Sequence, residues 1–166
     1  MLTIRPAVSA ADLVAVRALL EEYATWLAAN GAADLPEPDE RASLPGRYAP
    51  PAGALLLAKL DGRAVGCVAL RALDAETCEM KRLFVRPEAR GARVGVALVE
   101  ALLAHARATG YRRMRLDTLA WMHPAIALYR ALGFREIAPY HDRVGGVRFF
   151  ERALAAPVAA GERGAR

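Results

Sequence analysis

Cysteine is scarce in this sequence, because Cys67 and Cys78 are the only two among 166 residues. Two cysteines exclude a disulfide-rich secreted scaffold and a zinc site built from four cysteines. Both fall in predicted strands, where a free cysteine serves as a small hydrophobic residue. We therefore expect reduced thiols, a cytoplasmic protein, and chemistry that uses neither a cysteine nucleophile nor a metal.

Long apolar runs are also missing, since none approaches the roughly 20 residues that cross a bilayer. The first five residues lack the basic-then-apolar order of a signal peptide, so we expect no membrane partner. Apolar residues still make up 55% of the chain, which favours a globular core. The length favours one domain, which we place at residues 1–154, and the composition of residues 155–166 predicts a disordered tail.

Lysine is scarce as well, because Lys59 and Lys81 are the only two and arginine supplies the rest of the 23 basic residues. The net charge of +5 therefore accompanies an arginine-rich, alanine-rich composition that is typical of nucleotide bias. No motif for reading nucleic acid is present, so we predict no such partner. The basic excess can still attract a phosphate-bearing ligand if the arginines gather in one place.

The order of the predicted elements is that of an α/β protein. Ser9 and Asp12 predict a capping box before a helix that ends near residue 30, and apolar spacing predicts helices at 94–110 and 125–132. Alternating residues and turn signals, such as Asp61-Gly62, predict strands at 2–5, 54–60, 63–70, 76–85, 112–117, 134–137 and 147–154.

The segment at residues 83–97 leads from a strand through a glycine-bearing loop into a helix. The first N–H groups of a helix have no partner within it, and the helix dipole adds positive potential, so such helix starts bind phosphate oxygens. Gly91 and Gly95 allow close approach to the backbone. Three cations lie nearby, at Arg86, Arg90 and Arg93. An ordinary turn with solvated arginines is the alternative that this segment leaves open.

Two blocks at a typical separation resemble the GNAT superfamily of acyl-CoA-dependent N-acetyltransferases, and the resemblance spans residues 2–154. Residues 90–95, Arg-Gly-Ala-Arg-Val-Gly, resemble the family's phosphate motif, except that Arg93 stands where a second glycine is usual. Residues 125–134, Ala-Ile-Ala-Leu-Tyr-Arg-Ala-Leu-Gly-Phe, resemble its Ala-x-x-Leu-Tyr-x-x-x-Gly-Phe pattern. Met122 replaces an asparagine that many relatives carry.

The resemblance implies a GNAT-type fold, with a central, mostly antiparallel mixed sheet of six to seven strands and about four helices. It also implies acetyl-CoA as cosubstrate. The main chain of Leu83 and Val85, on either side of Phe84, would bind the pantetheine arm where two strands splay apart. The pyrophosphate would be held by the N–H groups of Arg90, Gly91, Ala92, Arg93, Val94, Gly95 and Val96.

Amine acetylation requires a neutral nitrogen, because an ammonium with a pKa near 10 has no lone pair for attack. The resemblance gives Glu79 as the base, directly or through water, and Tyr129 as the acid that protonates the departing thiolate. Strand alternation places the Glu79 side chain on one face with Lys81, Leu83 and Val85. A glutamate paired with a neighbouring arginine is the structural alternative.

The predicted function is acetyl transfer to a primary amine of a small molecule or peptide, by direct attack in a ternary complex. A non-catalytic acyl-CoA-binding module is the alternative, because Arg93 and Met122 depart from the family pattern. Four carboxylates between residues 32 and 53 favour a cationic acceptor, although a solvated loop explains them equally well: Asp34, Glu37, Asp39 and Glu40. His141 falls where relatives build the substrate pocket, and relatives are often homodimers.

Overall fold

The computed structural model describes residues 1–32, 35–142 and 145–155. Its helices are α1 (Ala10–Ala29), α2 (Pro38–Ala42), α3 (Val94–Thr109) and α4 (His123–Ala131), and 3-10 turns lie at Gly46–Tyr48 and Pro87–Ala89. Its strands are β1 (Leu2–Pro6), β2 (Ala54–Leu60), β3 (Arg63–Ala72), β4 (Thr77–Val85), β5 (Arg113–Leu119), β6 (Arg135–Ile137) and β7 (Val147–Ala153). Asp34 and residues 156–166 of the predicted tail lie outside the described residues.

The seven strands form one sheet in the order β1-β2-β3-β4-β5-β7-β6. Every neighbouring pair is antiparallel except β4 and β5, which run parallel. The predicted fold class, with a mostly antiparallel mixed sheet and about four helices, is therefore confirmed. Among the described residues, no helix combines the length and the apolar character needed to cross a bilayer.

Helix α1 begins with the predicted capping box. The Ser9 hydroxyl accepts a hydrogen bond from the Asp12 N–H at 3.1 Å, and the Asp12 carboxylate accepts one from the Ser9 N–H at 3.4 Å. The same carboxylate accepts two hydrogen bonds from the Arg5 guanidinium on β1, at 2.6 and 2.7 Å. One buried carboxylate therefore both starts α1 and joins it to the edge strand.

Two apolar cores cover the two faces of the sheet. Helix α1 lies over one core, whose members include Val16, Leu20, Leu57, Cys67 and Phe84. Helices α3 and α4 cover the other core, whose members include Leu98, Leu102, Met114, Leu116, Tyr129 and Phe150. Burial of each large apolar side chain contributes roughly 1.5–3 kcal/mol, so the helices hold the sheet from both sides.

Strands β4 and β5 separate soon after they meet. They share only three residue pairs, from Thr77 with Arg113 to Glu79 with Arg115. Beyond Glu79, β4 continues to Val85 beside β3, while β5 continues to Leu119 beside β7. The sheet is thus open between the later halves of these two strands, as the resemblance predicted.

A β-bulge in β4 changes which side chains share a face. Ala69 pairs with Lys81 and Cys67 pairs with Phe84, so two residues of β4 lie opposite one residue of β3. Phe84 consequently joins the core under α1, whereas Leu83 and Val85 pack on the core under α3. The prediction that Glu79 and Lys81 share a face with Leu83 and Val85 was wrong, because one extra residue reverses the alternation.

Arg82 lies in this bulge with a φ of +60° and is held by Glu40 of α2. The Glu40 carboxylate accepts hydrogen bonds from Arg82 at 2.6 and 3.1 Å, from Arg47 at 2.9 Å, and from the Tyr48 hydroxyl. Burial opposes its ionisation, but these donors prevail and lower the pKa of Glu40 to about 2. The negative charge of Glu40 is therefore compensated by neighbouring donors within the fold, whereas Glu37 and Asp39 are exposed.

Glu40→Gln should destabilise the protein, most clearly above about pH 4. The pKa of this carboxyl is about 2 in the fold and roughly 4.3 in an unfolded chain, so its contribution is present above the unfolded value and lost as the pH falls towards 2. We expect a loss on the order of 2 kcal/mol at neutral pH, or about 4–8 °C in Tm. Thermal denaturation across pH measures this effect.

Glu37→Gln is the matched control, because this glutamate is exposed in the same segment. It should leave Tm within about 1 °C of the wild type. Equal acid sensitivity of Glu40→Gln and the wild type would show that Glu40 does not stabilise the bulge.

Candidate active site

A groove of about 540 Å³ occupies the opening between β4 and β5. Helix α1 contributes Tyr23 and Trp26 to its wall, and the turn before α4 contributes Trp121. The predicted site residues that line it are Leu83, Phe84, Val85, Arg90, Gly91, Arg93, Val94, Gly95, Val96 and Tyr129. Glu79 and Ala92 are not among the lining residues. The structure therefore brings nearly all the predicted residues to one place.

The loop before α3 presents main-chain donors to the groove. The N–H groups of Arg90 and Ala92 donate to the carbonyls of Pro87 and Ala89, at 3.2 and 3.3 Å. The N–H groups of Gly91 and of residues 93–96 find no acceptor among the described residues. The preceding turn thus uses two of the seven predicted donors, and the binding of a pyrophosphate by the N–H groups from Arg90 to Val96 stays a prediction.

The edge of β4 supplies a second set of main-chain groups. The Arg86 N–H donates to the Val65 carbonyl on β3 at 2.8 Å, so backbone alternation directs the polar groups of Val85 and Leu83 towards the groove. The Phe84 main chain pairs with β3 instead, and its ring stacks on Tyr23 at 5.3 Å between centroids. Phe84 thus contributes its side chain to the wall.

The three arginines near the loop have different surroundings. Arg86 donates to Glu22 of α1 at 2.6 and 2.9 Å and to the Ala64 carbonyl at 2.7 Å. Arg90 lies 5.4 Å over the Trp26 ring, and Arg93 is exposed. The prediction of three cations around the loop is therefore corrected to two, because Arg86 forms an ion pair away from the groove.

Arg93 has a left-handed backbone, with a φ of +58°, immediately before α3. Glycine adopts this conformation without the steric penalty of a Cβ atom. The backbone geometry explains why a glycine is usual at this position in the family that the sequence resembles. In this chain an arginine adopts this backbone conformation at some steric cost and lines the groove.

Tyr129 projects from α4 into the groove with its ring buried. The ring contacts Phe134 and Phe150, at centroid distances of 5.9 and 6.4 Å. Its hydroxyl forms no hydrogen bond to the described residues. Burial, reinforced by nearby Tyr23 and Asp117, raises the pKa of Tyr129 well above its ordinary value. The hydroxyl therefore remains protonated at neutral pH and is free to donate.

A group of polar side chains adjoins the groove on the face covered by α1, and we call it the polar cluster: Glu79, Lys81, Asp117, Tyr140 and His141. Within it, the Lys81 ammonium lies 3.7 Å from both carboxylates, and the Tyr140 hydroxyl donates to Glu79 at 2.6 Å. His141 Nε2 lies 2.6 Å from an Asp117 oxygen. Lys81 and Asp117 line the groove directly.

Glu79 is the fully buried member of the cluster. Burial opposes its ionisation, but Lys81, the Tyr140 hydroxyl and Arg71 outweigh that effect and hold the pKa of Glu79 below its ordinary value. The Arg71 guanidinium donates to it at 2.8 Å, so the arginine-paired glutamate considered as the structural alternative is present. A catalytic role for Glu79 stays a prediction.

The carboxylate oxygens of Glu79 and Asp117 and a ring nitrogen of His141 all lie within 4.8 Å of one another. Such a trio has the donor atoms of a metal site. Here, however, the Lys81 ammonium already lies between the two carboxylates and supplies the compensating positive charge. The arrangement therefore describes an ion-pair cluster.

Sequence reasoning did not identify Asp117 as a site residue, although a signal was present. Arg113, Arg115 and Asp117 alternate with buried Met114 and Leu116 along β5, which marks one polar face. No signal in the neighbouring sequence shows that this face meets β4 at the opening.

Met122, which replaces the usual asparagine, lines the groove, and its sulfur accepts a hydrogen bond from the Thr118 hydroxyl at 3.5 Å.

An open mixed sheet with donors at a helix start and a tyrosine beside the strand opening is the arrangement that the resemblance to acyltransferases predicted. Residues 15–134 match the acetyltransferase (GNAT) family. The chain belongs to this family, which confirms the resemblance seen in its sequence.

Individual proteins show the same relationship. An uncharacterised N-acetyltransferase of Schizosaccharomyces pombe is 44% identical over 105 residues, covering 62% of this chain and 64% of that protein, which is less than two thirds of its length. An acetyltransferase of Streptococcus agalactiae shares the fold, with a TM-score of 0.78, 23% identity and coverage of 92% and 98% of the two chains. A phosphinothricin acetyltransferase of Sinorhizobium meliloti, solved with acetyl-CoA, has a TM-score of 0.73, 25% identity and coverage of 92% and 88%.

Arg93→Gly should stabilise the protein by about 0.5–1 kcal/mol, because glycine relieves the left-handed strain before α3. The expected rise in Tm is roughly 1–4 °C in thermal denaturation. Arg90→Gly removes the same charge at an ordinary φ of −67° and should lower Tm instead. Destabilisation by both substitutions would show that the Arg93 backbone carries no relievable strain.

Proposed function

We propose that this protein transfers an acetyl group from acetyl-CoA to a primary amine of a small molecule or peptide, by direct attack in a ternary complex. The observation that carries the proposal is the groove between β4 and β5, whose lining includes the start of α3 with its free N–H groups as well as Tyr129 and Asp117. The Sinorhizobium meliloti structure, which contains acetyl-CoA in the same fold, supports this choice of cosubstrate.

The proposed cosubstrate matches the chemistry of the groove. Free N–H groups at Gly91 and at residues 93–96 suit the pyrophosphate, and the dipole of α3 adds favourable potential. The edge of β4 at Leu83 and Val85, which does not pair with β5, suits an extended amide-containing arm, and an amide of that arm would replace the hydrogen bond that the Val85 carbonyl accepts from Arg90 Nε at 3.2 Å. The Arg93 guanidinium adds a positive charge that would attract the phosphates, and dissolved salt would weaken this attraction.

The transfer needs one proton acceptor and one proton donor. The neutral amine attacks the thioester carbonyl carbon, a C–N bond forms, and the tetrahedral intermediate collapses as the C–S bond breaks. Tyr129 donates its proton to the departing thiolate, because its hydroxyl lines the groove in the protonated form and has no partner among the described residues. The polar cluster receives the amine proton, and Glu79 is the base that the sequence predicts within it.

The walls of the groove describe the acceptor only broadly. Tyr23, Trp26 and Trp121 form one aromatic wall, with Trp26 and Trp121 at 5.6 Å between centroids. An acceptor with an apolar part beside its amine would bury against these rings. Exposed Glu37 and Asp39 would favour a cationic acceptor during encounter.

The decisive experiment measures thiol release from acetyl-CoA across a panel of primary amines, together with calorimetric titration of acetyl-CoA. We expect saturable binding and amine-dependent release. Binding without release on any amine would favour the non-catalytic acyl-CoA-binding module. Absence of binding would overturn the whole proposal.

Tyr129→Phe should lower kcat by roughly 10²-fold while the affinity for acetyl-CoA changes little, because only proton donation is removed. Steady-state kinetics and calorimetry measure the two quantities. Tyr111→Phe is the matched control, since its hydroxyl donates to the Ala52 carbonyl at 2.6 Å and lies outside the groove. If Tyr129→Phe kept the wild-type kcat, Tyr129 would not be the proton donor.

A further inference from the structure

The Asp117–His141 pair differs from the rest of the polar cluster in its access to solvent. The Glu79 side chain is 0% exposed, Asp117 is 10% exposed and His141 is 30% exposed. Asp117 lines the groove, and His141 bonds to it from the segment that follows β6. The pair therefore extends from the groove wall towards the surface.

The His141 ring is held in a defined orientation. The rings of Tyr140 and Phe149 contact it edge-on, at centroid distances of 5.1 and 4.8 Å. Its Nε2 lies 2.6 Å from Asp117, which requires a proton between the two atoms. In neutral His141 that proton belongs to Nε2, so Nδ1 carries the lone pair. Nδ1 has no partner among the described residues.

Glu79, by contrast, has its acceptor positions occupied. Arg71 and Lys81 face one carboxylate oxygen, at 2.8 and 3.7 Å, and the Tyr140 hydroxyl donates to the other. A proton arriving from an amine would have to displace one of these donors. The same contacts fix Lys81, which in turn lies 3.7 Å from Asp117. Glu79 is thus suited to positioning the Asp117–His141 pair.

We propose that His141, oriented by Asp117, accepts the proton of the acceptor amine, directly or across one water, and that Glu79 acts as a positioning residue through Lys81. This assignment rests on the proposed acetyl transfer. As the amine nitrogen forms its bond to the acetyl carbon, its proton passes to His141 Nδ1. The imidazolium then releases that proton to solvent, while Tyr129 protonates the thiolate and regains its own proton from solvent.

The charges that face His141 balance in favour of this role. Asp117 on β5 stabilises the imidazolium by direct contact, and Glu79 on β4 adds a second negative charge nearby. Lys81 opposes it from β4, and Arg115 of β5 lies 5.2 Å over the neighbouring Tyr140 ring. Among the described residues, the charged group within hydrogen-bond distance of the His141 ring is the Asp117 carboxylate.

The first test compares pH profiles of kcat/KM for the wild type, His141→Gln and Glu79→Gln, with two amines of different pKa. The limb due to the amine shifts with the amine, whereas the limb due to the enzyme base stays fixed. His141→Gln should lower kcat/KM roughly 10²-fold and lose the fixed limb, and Glu79→Gln should lower the rate but retain it. His105→Gln, on α3 outside the groove, is the matched control.

Imidazole rescue supplies an independent activity readout, since added imidazole should restore transfer in His141→Ala. Nitrogen NMR of the three histidines reports which ring nitrogen carries the proton. In the wild type, neutral His141 should carry its proton on Nε2. In Asp117→Asn this preference should be lost. Acetyl-CoA binding and Tm of each variant separate a folding defect from lost proton transfer.

The outcomes distinguish the two proposals. If the wild type acetylates no amine, the proposed function fails and the role of His141 fails with it. If the wild type is active and His141→Gln keeps the fixed limb, or Glu79→Gln alone loses it, acetyl transfer stands and the assignment to His141 is overturned.

Discussion

The short pairing of β4 with β5 is the constraint on which the rest of the site depends. After three residue pairs the strands separate, and among the described strands the later half of β4 pairs with β3 alone. Main-chain groups along an open edge must find partners other than the sheet. The groove places that edge beside further free donors at the start of α3, so one extended ligand with a phosphate end can satisfy both sets.

The bulge at Arg82 determines what each face of the opening contains. Without it, Leu83 and Val85 would share the face of Glu79 and Lys81, and an apolar strand end would cover the polar cluster. The bulge returns these aliphatic side chains to the core under α3 and presents Phe84 to α1. The ion pair between Glu40 of α2 and Arg82 stabilises this geometry, so the segment after α1 supports the shape of the site.

Local signals predicted most of the fold and much of the groove. The capping box, the hairpin turn and the two family blocks each depend on residues close in sequence, and each is present in the structure. The bulge has no such signal, because an extra residue leaves hydrophobic alternation superficially intact. The partners of Arg86 and Glu79 were also beyond prediction, since Glu22 and Tyr140 lie 64 and 61 positions away.

The position of each charge within the cluster explains why several ionisable groups can coexist there. A buried carboxylate is costly unless donors surround it, and Glu79 has three. Lys81 shares its charge between Glu79 and Asp117, which leaves Asp117 able to hold His141. Exposure rises along this series from Glu79 to His141, so a proton moves more readily at the outer end than at the buried one. The deep carboxylate and the outer imidazole therefore suit the two different tasks proposed for them, which are positioning for Glu79 and proton acceptance for His141.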